Sequence, residues 1–144
     1  MSITQITPPI PEVDFSVVDP DHDDLPYEER LLEAMTPRME ALLGIGRAAY
    51  IASATEHGDV GTCGFAWVVL EITPETKPTI RWFREDDHGR LDGWHLNYKI
   101  GPSDFLEDDD PRVQALATEE AACEALAAAL RSVGVPCDVQ SVVD

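Results

Sequence analysis

Residues 65–72 read Phe-Ala-Trp-Val-Val-Leu-Glu-Ile, apolar at nearly every odd and even position. Successive side chains of a strand point to opposite faces. A run apolar on both faces therefore predicts a central strand, covered on each side. Thr73 to Pro78 reads as a turn. Over 79–84, Ile80 and Trp82 fall on one face and Phe83 on the other, which predicts a second strand. Asp86-Asp87-His88-Gly89 turns the chain again. Trp94, Leu96, Tyr98 and Ile100 then share one face, with His95, Asn97 and Lys99 opposite, which predicts a third strand over 93–100. Strands joined by such short turns make an antiparallel meander.

The flanks predict helices. Leu31, Leu32, Met35, Met39, Leu42 and Leu43 recur at helical spacing after Pro26. Pro37 falls inside this pattern, and a mid-helix proline costs about 3 kcal/mol. The expectation is a kink there, or two short helices with Thr36 capping the second, ended by Gly44-Ile45-Gly46. Ala48 to Ala54 reads as a short strand. Near the C-terminus, 113–117 reads as a strand and Thr118 as a helix cap. Cys123, Leu126, Ala127, Leu130 and Val133 form an apolar stripe closed by Gly134. Val135, Cys137, Val139, Ser141 and Val143 alternate as a last strand. A strand–helix–strand return favours parallel pairing of its two strands. The predicted class is α+β: a largely antiparallel sheet, one or two packed helices, and this C-terminal strand–helix–strand. Residues 25–144 form one domain. Residues 1–24, with Pro8, Pro9, Pro11 and Pro20, form an extended acidic arm.

Charge narrows the partners. Ten basic and 28 acidic residues give a formal charge of −18. A surface so acidic repels DNA, RNA and anionic membrane, and no apolar run is long enough to span a bilayer. Eight Arg against two Lys, with 15 Ala, is also what adaptation to high salt produces. Locally, Asp19, Asp21, Asp23 and Asp24 in the arm, and Glu107, Asp108, Asp109 and Asp110 beyond the meander, form the runs most suited to a partner. Such runs on a small domain imitate phosphate spacing; a solvated acidic surface is the plainer alternative. The arm's Asp spacing lacks the Gly at position six and the closing Glu of an EF-hand.

Site chemistry is sparse. His22, His57, His88, His95 and Cys63 show no metal-ligand spacing, so neither a metal nor a cofactor is expected. Three cysteines without a CxxC read as two core residues, Cys123 and Cys137, and one loop residue, Cys63. Cys63 lies in Gly58-Asp59-Val60-Gly61-Thr62-Cys63-Gly64, where flanking glycines leave the sulfur open. A nucleophile also needs a base within reach and a group to orient it. His57 lies across a Gly-rich stretch, and His95, with Asp92 or Asp104 to orient it, must come from another strand. The expected role of the Cys63 loop is therefore a structural turn or a contact rather than catalysis, and the candidate contact set is Cys63, His95, Asn97 and Ser103. No catalytic residue is assigned.

At Gly61-Thr62-Cys63-Gly64-Phe65-Ala66-Trp67-Val68 the chain resembles a group of small uncharacterised bacteriophage proteins that carry a similar GxCGFAWV run. The likeness continues at Gly93-Trp94, Pro102-Ser103, Gln114, Glu119-Glu120-Ala121-Ala122 and from Gly134 to Asp144, over roughly the last 85 residues. The resemblance implies a phage or mobile-element setting and no reaction. With no basic n-region or apolar h-region in Met1-Ser2-Ile3-Thr4-Gln5, the expected location is the cytoplasm of a host cell. The expected function is that of a small acidic interaction protein that occupies a protein partner, an anti-defence factor or DNA mimic. The alternative is a small-ligand binder or thiol enzyme using the Cys63 loop, its acidity reflecting halophilic adaptation alone.

Overall fold

A computed structural model of the chain describes residues 25–85, 88–92 and 97–144. The proposed arm over 1–24, with Asp19, Asp21, Asp23 and Asp24, lies outside these residues, as do 93–96 with His95. The described chain is α+β. Helix α1 spans Leu25–His57, strand β1 Gly64–Glu71, helix α2 Lys77–Glu85, strand β2 Arg90–Asp92, strand β3 Asn97–Ile100, helix α3 Leu116–Ser132 and strand β4 Asp138–Val143. The strands form one antiparallel sheet in the order β2-β3-β1-β4. Helix α3 packs against β1 and β4, and against α1. Leu126 and Leu130 of α3 are fully buried with Val68, Leu70, Tyr98 and Ile100 of the sheet. No helix among the described residues is long and apolar enough to cross a membrane.

Several expectations are corrected, each by packing that overrides local pattern. Helix α1 runs through Pro37, Gly44 and Gly46 without ending. Pro37 itself is exposed, while Met35, Met39, Leu42, Leu43, Tyr50 and Ala54 bury one stripe on both sides of it. Gly46 is a contact point rather than a stop: a Cβ there would lie 3.3 Å from Leu126 and from the Phe105 ring. Residues 48–54 are helical because Tyr50 and Ala54 continue that stripe.

Residues 79–84 belong to α2 rather than to a strand. Thr79, Ile80, Trp82 and Phe83 are all buried, a spacing that a helix satisfies and a two-faced strand does not. Thr76, fully buried just ahead of it, donates to the Glu71 carbonyl (2.5 Å) and accepts the Thr73 N–H (3.0 Å), so it closes β1 and opens α2.

Helix α3 begins at Leu116, so Thr118 is not its cap. Thr118 is buried instead, its hydroxyl sharing a 2.8 Å hydrogen bond with Ser53 of α1. At the other end Gly134, at φ +86°, allows Val135 N–H to reach back to Leu130 O at 3.0 Å. Residues 113–117 form no strand. Ala115 alone bridges Cys63, antiparallel. The segments before and after α3 therefore do not pair; β1 lies between them.

Candidate functional site

Strand β1 is central, as expected, but among the described residues only one of its faces is fully covered. Gly64, Ala66, Val68 and Leu70 point into the core beneath α3. On the opposite face Phe65 is 54% exposed, Trp67 half-buried, Val69 buried and Glu71 exposed. Cross-strand partners share a face, so Asn97 and Lys99 of β3 and Asp138, Gln140 and Val142 of β4 join this open side. Val142, 47% exposed, lies directly opposite Phe65. Among the described residues the expectation of cover on both sides is not met, since Phe65, Glu71 and Val142 stay exposed on this side.

Glycine at 64 decides how closely β4 approaches. A Cβ there would stand 2.5 Å from the Val142 carbonyl oxygen and 3.0 Å from Leu116 Cδ1. The CGFAWV run is thus a packing motif: Gly64 admits β4 and α3, Ala66 and Val68 fill the core, and Phe65 and Trp67 are left outside.

Strand β4 is the outer strand beside β1. Asp144 N–H bonds Cys63 O at 3.0 Å. Antiparallel alternation then turns the backbone of Gln140 and Val142 toward β1, and that of Val139, Ser141 and Val143 outward. Among the described residues this outer edge pairs with no strand. Every residue of β4 except Val139 is exposed. Acidic Asp138 and Asp144 flank the edge.

On the other side of β1 the ladder is interrupted. Strand β3 leaves after Ile100, opposite Val68, and the chain returns only where Gln114 O accepts Gly64 N–H at 3.0 Å. Between them Ala66 N–H is met by a side chain: it donates to Glu119 Oε1 at 3.4 Å. Burial pushes the Glu119 carboxyl above the usual carboxylate range, and the Ala66 N–H pulls it partly back. The interruption opens a cleft of about 480 Å³, lined among others by Phe65, Trp67, Lys99, Ser103, Arg112 and Glu119.

The proposed contact set is only partly brought together. Ser103 is exposed at this cleft. Cys63 is exposed beside it, one residue from Gly64. His57, the base nearest in the chain, is exposed and sits 3.7 Å from Glu56. Asn97 faces a separate hollow with Glu71, Asp138 and Gln140. Cys123 is buried, and burial pushes its thiol up to about 12; Cys137 is half-buried and its thiol is raised for the same reason.

The acidic loop is a tied turn. Arg47 of α1 holds Asp110 with both ends of a fork, Nε to Oδ2 at 2.7 Å and Nη2 to Oδ1 at 2.8 Å. Asp110 also accepts Glu107 N–H at 2.8 Å and is 6% exposed. Hydrogen bonding to the Arg47 guanidinium holds the Asp110 carboxyl down to about 2. Asp108 and Asp109 remain exposed, and Glu107 sits 3.4 Å from Arg47. Other exposed acids lie on every helix and on β1 and β4: Glu33 and Glu40, Glu71, Glu85, Glu124 and Asp138.

Residues that sequence reasoning missed are Phe65 and Val142 on the open face, and Arg112 and Glu119 at the cleft. The break at Gly101-Pro102-Ser103 was their one available signal, since it marks where β3 must leave β1. No group of three or more His, Cys, Asp or Glu placed to hold a metal ion occurs among the described residues. No protein-family model, curated protein or solved structure matches this chain.

Proposed function

We propose that this chain is an interaction protein whose open sheet face and β4 edge receive an extended, positively charged segment of a partner protein. The observation that carries the reading is β4: an outer strand exposed on both faces, beside the exposed Phe65–Val142 pair. An edge strand offers a row of backbone donors and acceptors to a second chain, and proteins ordinarily block such edges with lysine, proline or a covering loop. The edge itself has no lysine or proline, and no described segment covers it. Backbone pairing would supply affinity and the apolar pair a pocket for an alternate side chain. Asp138, Asp144 and a chain charge of −18 favour a basic partner and speed its encounter.

Nucleic-acid-binding proteins carry such basic segments, so occupying one is the DNA-mimic and anti-defence reading. The resemblance to phage proteins supports a host or viral partner. The dispersal of acids over all the helices supports a second reading, in which the bulk of the charge is adaptation to salt. The two coexist if only β4 and its flanks touch the partner.

The test uses a seven-residue peptide, Lys-Val-Thr-Val-Thr-Val-Arg, and its counterpart with Glu at both ends, each titrated while backbone amide signals are followed. The basic peptide should shift Val139, Ser141 and Val143. Val143→Pro, which removes an outward N–H and leaves the β1 ladder intact, should abolish binding without unfolding the chain. Equal response to both peptides, response to neither, or unchanged binding by Val143→Pro contradicts the reading.

A further inference from the structure

We propose that the cleft between β1 and β3 is a binding site for a small carboxylate with a planar apolar body, independent of the β4 edge. Its volume, about 480 Å³, falls within the range of small-molecule sites. Phe65, Trp67 and Leu106 give it apolar walls. Arg112 is the recognition group. Its Nη1 donates to the backbone carbonyls of Glu107 at 3.0 Å and Asp110 at 3.3 Å, so the loop that Arg47 and Asp110 fix also orients this guanidinium. Among the described residues its Nε and Nη2 donate to nothing. That edge is the fork that matches a carboxylate with two parallel hydrogen bonds.

The acids at the cleft do not compete for Arg112. Asp104 accepts Gly101 N–H at 2.8 Å, and Glu119 accepts Ala66 N–H. Lys99 adds positive charge to the same wall, its Nζ 4.8 Å over the Trp67 ring. Trp67 Nε1 is the one buried side-chain nitrogen or oxygen without a hydrogen-bond partner among the described residues, and it belongs to this wall. Buried donors are ordinarily paired. An unmet indole N–H in the wall of the cleft that also holds the Arg112 fork points to an acceptor-bearing ligand rather than a hydrocarbon.

The test compares phenylacetate, 2-phenylethanol (ring without acid) and acetate (acid without ring), following the indole N–H signals, with Trp67 identified through Trp67→Phe. Phenylacetate should shift the Trp67 signal saturably, and the other two should bind at least about tenfold more weakly. Arg112→Gln should weaken phenylacetate about tenfold, and Arg112→Lys, which keeps the charge and loses the fork, should not restore it. Val143→Pro should leave phenylacetate binding unchanged, while Arg112→Gln should leave the basic peptide's binding unchanged, so the two sites fail separately. Equal affinity for phenylacetate and 2-phenylethanol, or no movement of Trp67, overturns the proposal. That comparison is made on the unaltered chain, so it decides even if the Arg112 variants lose their loop.

Discussion

The two faces of β1 are built from one continuous segment, yet they meet opposite surroundings. Ala66, Val68 and Leu70 are buried beneath α3; Phe65 and Trp67, which alternate with them in sequence, look out over β3 and β4. Burial of the first set excludes water from the apolar faces of both α3 and the sheet, the main favourable term in such a fold. The second set contributes far less, because much of its area stays in water. An apolar residue left exposed singly is ordinary, but Phe65 and Val142 are exposed as a cross-strand pair at an unpaired edge. The contrast teaches that one hydrophobic pattern meets two fates: one face holds the domain together and the other, among the described residues, stays partly exposed.

The contrast predicts a graded set of substitutions. Leu126→Ala, on the covered side and fully buried, should cost about 2–5 kcal/mol in chemical denaturation, the cavity adding to the lost transfer energy. A cost under about 1 kcal/mol would mean that α3 is not the cover. Gly64→Ala comes next. Its Cβ must push against the Val142 carbonyl 2.5 Å away, which should cost about 1–3 kcal/mol and speed amide exchange along β4 first. Unchanged β4 exchange would show that the close approach does not hold the strand.

Asp110→Asn sharpens the comparison from outside the sheet. The Asp110 carboxyl is depressed to about 2 in the folded chain, below the unfolded value of about 3.9. Its stabilisation is therefore complete above the unfolded pKa and is lost as pH falls through the folded one. The melting-temperature gap between the parent and Asp110→Asn should be constant above about pH 5 and should shrink steadily as pH falls toward the folded value of about 2. A gap undiminished at pH 2 would remove the Arg47 pair as its cause. The smallest effect belongs to the open face: Phe65→Ser should change stability by no more than about 0.5 kcal/mol while weakening the basic peptide. A loss comparable to that of Leu126→Ala would show that Phe65 is core.

What was legible in the sequence follows from which forces are local. Helix α3 is written in its own stripe, Cys123, Leu126, Ala127 and Leu130, and in Gly134, the residue whose positive φ ends it. Strand β1 is written in a run of apolar residues too short and too β-branched for a helix. Helix α2 was hard to tell from a strand because Ile80, Trp82 and Phe83 fit both equally over six residues; Pro78 in the first turn was the deciding sign. The passage of α1 through Pro37 and Gly46 was unreadable, since only contact with α3 and Phe105 outweighs those two residues. The site was less legible still. Arg112, Glu119 and Trp67 line one cleft because β3 ends at Ile100 and the chain returns at Ala115, a juxtaposition of segments far apart in sequence.

The central claim, that β4 presents a free edge for a basic strand, is tested most directly by amide hydrogen exchange along β4 with and without the Lys/Arg-flanked peptide. In the free chain Gln140 and Val142 should be protected by their bonds to β1, while Val139, Ser141 and Val143 exchange near unprotected rates. Adding the peptide should slow those three outward amides and leave Gln140 and Val142 as they were. Uniform protection of all five in the free chain, or no slowing of the outward three at saturating peptide, would contradict the account.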